Sequence, residues 1–141
     1  MHAPIARALK GIAEMNNEQA MKAAMQAYID HFNAADLEGL VALYADDATV
    51  EDPVGTPPRE GRAAITEFYR MALQTGARLQ LAAPIRASHA NAAAMAFDVQ
   101  LTMPEGPSEI RVIDVMTFND AGKFQSMQAY WGPSDMEVLS N

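Results

Sequence analysis

The chain contains no cysteine, so disulfides, thiolate nucleophiles and cysteine-ligated zinc are excluded. Basic residues are scarce: 10 Lys and Arg stand against 18 Asp and Glu, a formal net charge of −8. Nucleic acid and anionic membrane are therefore expected to play no part, because both are held by clustered cations that displace counterions. No apolar run approaches the length of a membrane span, and the opening MHAPIARALKGIAEM lacks the uninterrupted apolar centre of a signal peptide. The expectation is a soluble, cytoplasmic protein with a small ligand that is not strongly anionic.

Metal and nucleotide motifs are missing too. His2, His31 and His89 have no HExxH spacing and no companion ligand, so no metal is expected. A Walker loop, a dinucleotide fingerprint and a GxSxG elbow are absent. Asp46-Asp47 is no metal pair, since neighbouring residues point in different directions, and it reads as a helix-to-strand turn.

What is present is 141 residues, half of them apolar, enough for one hydrophobic core and too few for two. From Asn17 to about Phe32, Met21, Met25, Tyr28 and Phe32 recur at helical spacing and predict an amphipathic helix. Asp36 is placed to cap a second helix running through Leu37 to Tyr44, and Gly61 to about Leu73 predicts a third. Period-two alternation then predicts strands over Ala48–Asp52, Arg78–Ser88, Ala92–Met103, Glu109–Phe118 and Lys123–Trp131. Turn-forming Pro104–Pro107 and Asn119–Gly122 join successive strands into an antiparallel meander. The fold class is α+β, with three N-terminal helices covering one face of a mostly antiparallel sheet. Residues 1–15 read as an N-terminal extension, residues 16–135 as the single domain and residues 136–141 as a tail.

Asp114 is the most unusual polar residue. Alternation puts Val112, Asp114, Met116 and Phe118 on one strand face. If that face is internal, desolvation raises the carboxyl pKa and leaves a protonated hydrogen-bond donor at neutral pH; on a solvated face it is an ordinary aspartate. Asp52 ends its strand on the side of Ala48 and Val50. It either faces the interior as a less desolvated acid, which could act as a base, or only initiates a turn before Pro53. Tyr28 lies on the apolar stripe of the first helix, while Tyr44 and Tyr69 also fall in segments read as helical. The three could be core residues or a chain of hydroxyl hydrogen bonds. Ten methionines suit a core or an apolar ligand pocket.

Taken together, Tyr44-Ala45-Asp46-Asp47-Ala48-Thr49-Val50-Glu51-Asp52-Pro53, Pro84–His89, Val112-Ile113-Asp114-Val115-Met116 and Met127-Gln128-Ala129-Tyr130-Trp131 closely resemble the bacterial Δ5-3-ketosteroid isomerases. The match runs in order from about Met21 to Trp131. It implies an NTF2-like cone, with three helices packed on a strongly curved sheet, and a homodimer formed through the sheet surface. It also implies a cofactor-free isomerase acting on 3-ketosteroids, with Asp52 as general base and Tyr28 plus protonated Asp114 as oxyanion hole. Tyr44 and Tyr69 would support Tyr28, and Met95, Phe97, Met116, Phe118 and Trp131 would line the steroid pocket. Val54 and Ala96 depart from the family pattern, where an aromatic and a proline stand, and bear on pocket shape near the base. Rival expectations are another NTF2-like enzyme, of polyketide cyclase or dehydratase type, and a non-catalytic carrier of hydrophobic ligands.

Overall fold

The computed structural model describes residues 3–139, with side-chain environments from Asn17 onward. Helix α1 (Ala3–Asn33) is longer than the stripe predicts, and most of the expected extension, from Ala3 on, is continuous with it. Met21, Met25, Tyr28, Ile29 and Phe32 are its buried stripe. The helix ends on Ala35, which adopts φ 55° at a cost of about 1 kcal/mol for a residue with a Cβ. The Asp36 N–H then bonds back to the His31 carbonyl at 2.9 Å, satisfying an end group of the helix.

Asp36 also starts the next element. Its Oδ1 accepts from the Gly39 N–H at 2.9 Å and caps α2 (Leu37–Val41), as the sequence predicts. Oδ2 meets His31 Nδ1 at 3.0 Å. A Cβ on residue 39 would stand 2.4 Å from the Asp36 carboxylate and 2.6 Å from the His31 ring, so a larger residue there would push both side chains aside and disturb the cap.

Helix α2 stops before Tyr44, contrary to the helical reading of that residue. Tyr44 instead opens β1 (Tyr44–Glu51) and pairs with Phe124, because partner-strand hydrogen bonds outweigh a short helical preference. After β2 (Arg59–Glu60), α3 (Gly61–Gln74) matches its expected span closely. Strand β3 (Arg78–Leu81) is about a third as long as alternation suggests. Beyond Leu81 only an isolated bridge, Arg86 with Ala94, continues the pairing, and Pro84 has no N–H to give a ladder.

Strands β4 (Ala92–Met103), β5 (Gly106–Phe118) and β6 (Phe124–Tyr130) form the expected meander with β3. The order across the sheet is β2-β1-β6-β5-β4-β3. Strand β1 joins β6 in parallel, and the short β7 (Met136–Val138), within the segment read as a tail, pairs with β5. Register shifts in β1 between Tyr44 and Thr49, and in β5 between Thr117 and Phe118, are the kind of irregularity that bends a sheet. The helices close over the concave face, giving the predicted α+β cone.

One side chain ties helix layer to sheet layer. Asn33 donates to the Leu79 carbonyl and accepts from the Leu79 N–H, each at 2.8 Å. Asn33→Ala would orphan both backbone groups and is expected to cost about 2 kcal/mol in urea unfolding; a change of a few tenths would mean that water replaces the amide at no penalty.

Candidate active site

Strand β5 delivers Asp114 to the concave face. Its cross-strand partners are Met95 on β4 and Ala129 on β6, both buried and apolar. Asp114 is 1% exposed, and neither carboxyl oxygen has a hydrogen-bond partner among the described residues. Burial pushes its pKa well above the ordinary value, and the nearby Asp52 charge pushes it further. Both effects favour the neutral acid, whose O–H would be an unused donor in a molecule where buried polar groups almost always find partners.

Tyr28 enters the same space from α1. Its hydroxyl accepts from Tyr69 Oη at 3.2 Å, and Tyr69 is hydrogen-bonded in turn to Tyr44. Tyr69 has one proton and gives it to Tyr28, so Tyr44 donates to Tyr69 and the chain ends on Tyr28 with its own O–H uncommitted. Burial, followed by the Asp114 charge, holds the Tyr28 phenol well above its usual pKa. Relayed donors polarise one another and make the terminal O–H a stronger donor.

Asp52 directly follows β1 and Trp131 directly follows β6. Because these strands run parallel, with Glu51 opposite Gln128, their ends lie side by side. Trp131 Nε1 donates to Asp52 Oδ1 at 3.0 Å. Burial raises the Asp52 pKa, while that hydrogen bond and the Arg59 charge pull it back. Two carboxyl groups therefore stand in one site with different environments, Asp114 dry and unpartnered, Asp52 partly solvated and supported, a division that suits one to donate and the other to accept a proton.

Tyr28, Asp52 and Asp114 line one cleft of about 170 Å³, smaller than the ~300–1,000 Å³ usual for small-molecule sites. Its walls include Phe32, Phe68, Leu79, Phe97, Leu101 and Ile110. Of the residues expected to line the pocket, Phe97 does so. Met95, Met116 and Phe118 are buried in the core, and Met95 lies directly across the strand ladder from Asp114. Trp131 acts as donor to Asp52, Tyr69 lines the cleft and donates to Tyr28, and Tyr44 stands behind Tyr69. Phe68 and Arg59 escaped the sequence reading, although Phe68 lies one helical turn from Ile65. Among the described residues no three His, Asp or Glu side chains are placed to hold a metal ion, and no helix is long and apolar enough to cross a membrane.

A curved sheet closed by helices over an acid–base cleft defines an NTF2-like small-ligand protein. Residues 25–127 match the SnoaL-like domain, and the chain belongs to that family. It is 42% identical over 123 residues to the steroid Δ-isomerase of Nocardioides simplex, covering 84% of this chain and 94% of that enzyme. It is 30% identical over 125 residues to the epoxide hydrolase LasB of Streptomyces lasalocidi, 86% of this chain but 44% of that protein. The solved structure of SalBIII, an epoxide hydrolase/cyclase-like enzyme of pyran ring formation in salinomycin, superposes with a TM-score of 0.80. That match has 29% sequence identity and covers 86% of this chain and 97% of SalBIII. The resemblance to steroid isomerases read from the sequence therefore stands.

Proposed function

We propose that the protein is a cofactor-independent steroid Δ-isomerase that converts 3-oxo-Δ5-steroids to 3-oxo-Δ4-steroids. The observation that carries this reading is Asp114, a buried carboxyl without a partner, in one apolar cleft with Asp52 and with Tyr28 at the end of its hydroxyl chain.

A carbonyl in that corner accepts from both Tyr28 Oη and the Asp114 carboxyl. Asp52 takes the proton from C4, between the carbonyl and the double bond, and the electron pair moves toward the oxygen as a dienolate. The two donors meet the charge as it develops, and they are stronger in a dry site than in water. Asp52 then returns the same proton to C6, so the double bond moves into conjugation with no net change in atoms or electrons. One base serves both carbons because its acceptor oxygen lies along the edge of a flat ring system. The apolar walls favour a steroid skeleton and keep Asp114 protonated.

The same reading makes the protein a cytoplasmic homodimer, joined through the outer sheet face where Ile113 and Tyr130 are exposed. A second reading draws on LasB and SalBIII: a paired acid and base can also open an epoxide, with Asp114 or Tyr28 protonating its oxygen. Purified protein mixed with 5-androstene-3,17-dione separates the two. The ultraviolet band of the conjugated enone is expected to rise rapidly; steroid binding without conversion would sink the isomerase assignment, and turnover of polyether epoxides alone would favour the alternative.

A further inference from the structure

Arg59 reaches the site through strand pairing. It stands opposite Val50 in the antiparallel β1–β2 ladder, and opposite residues share a face. Val50 is fully buried on the concave side with Ala48, one pleat from Asp52. Arg59 therefore sends its side chain inward, and its guanidinium carbon lies 4.5 Å from the centroid of the Phe68 ring. Phe68 in turn lines the cleft together with Asp52. Stacking on an aromatic face fixes a long side chain that would otherwise roam.

The charge so fixed is not cancelled locally. Arg62, Arg70 and Arg111 each meet a carboxylate, whereas Arg59 forms no ion pair among the described residues. The titratable groups around Asp52 are Tyr28 on α1, Tyr44 on β1, Tyr69 on α3 and Asp114 on β5, each of which burial pushes toward its neutral form. Glu51 is turned to the other face, where it accepts from the Gly55 N–H and from Gln128. Glu60 is exposed on the next residue of β2. Arg59 is the cation of this neighbourhood.

We infer that Arg59 is a positioning residue for the base: pinned on Phe68, its charge keeps Asp52 ionised inside an apolar cleft, so that the base is ready at lower pH than burial alone would allow. This rests on the isomerase reading of the site. Burial favours the protonated form of Asp52, and the Trp131 hydrogen bond, followed by the Arg59 charge, opposes it. These opposing effects agree with the inference.

The test is the pH dependence of kcat/KM on 5-androstene-3,17-dione for wild type, Arg59→Met and Arg59→Lys. Methionine keeps the apolar contact with Phe68 and removes the charge; its acid limb is expected to move up by about half a pH unit, the effect of losing a partly solvated cation. Activity would then fall about threefold below the limb and equal or exceed wild type above it, because a more basic carboxylate is the better base. Lysine is expected to keep the limb near that of wild type. A merely structural role would lower the rate equally at every pH, and that result, or an unmoved limb, would overturn the inference. NMR titration of the Asp52 carboxyl carbon reads the same displacement without turnover. Absence of wild-type catalysis would therefore strike the isomerase reading, while an Asp52 titration identical in wild type and Arg59→Met would strike the role of Arg59.

Discussion

Asp52→Asn is expected to leave a folded protein that still binds steroid and has lost about 10³–10⁴-fold in isomerisation, the upper range for a positioned general base. The amide keeps the shape of the carboxylate, and its oxygen can still accept from Trp131 Nε1, which lies 3.0 Å from Asp52 Oδ1. It cannot accept a proton from carbon. Because ground-state contacts are retained and only the proton acceptor is removed, the loss falls on kcat while steroid affinity stays the same or improves. The wild-type profile carries a linked signature: with the Asp52 pKa raised above 3.8, activity falls as pH drops through that raised value. The acid limb should be absent from the residual rate of the variant. Turnover of Asp52→Asn within tenfold of wild type would remove Asp52 from the role of base.

Asp114→Leu is expected to lower kcat by about 10²–10³-fold, the usual effect of deleting one oxyanion donor, yet to stabilise the fold at neutral pH. Asp114→Asn should fall between, because its amide keeps an N–H donor in the same shape. The stability result follows from linkage. In the unfolded chain this aspartate ionises near 3.8, while in the folded protein burial keeps it protonated to much higher pH. Folding therefore takes up a proton, and stability contributed at this position declines as pH rises from the unfolded value toward the raised folded one. Either substitution abolishes that decline. The gain should vanish well below pH 3.8 and grow through the window above it, as read by urea midpoints across pH. A pH-independent difference would mean that the native carboxyl ionises with ordinary acidity, which would disqualify it as a donor.

These two residues also mark how far the sequence could be read. Alternation around Asp114 and the stripe through Tyr28 identified their faces correctly, because burial on one side imposes its period on the chain. A period names a face without saying what fills the space beside it. Met95, Met116 and Phe118 share the concave face with Asp114 and are buried in the core, whereas the walls of the cleft include Phe32, Phe68, Leu79 and Ile110. That distinction depends on how the helices stand over the sheet, a relation between distant segments with no local signature. Tyr44 was misread for the same reason: its strand conformation is set by Phe124, far along the chain. The stack of Arg59 on Phe68 likewise joins a strand and a helix through space. The hydrogen bond from Trp131 to Asp52 spans 79 positions, and the sequence resemblance suggested only that Trp131 touched the ligand.

The parallel pairing of β1 with β6 sets when the proposed site can assemble as well as where Asp52 sits. Most of the sheet can grow by adding each strand beside its predecessor, closing short loops at modest entropic expense. Strand β1 must wait for β6, because Thr49 meets Ser126 and Glu51 meets Gln128. Asp52 thus gains its tryptophan only when the sheet is nearly complete. A refolding chain should recover helical circular dichroism first, and the quenching of Trp131 fluorescence by its new surroundings should coincide with the return of turnover. On this reading the contact between Trp131 and Asp52 forms late, and a half-folded molecule is expected to lack a functioning site.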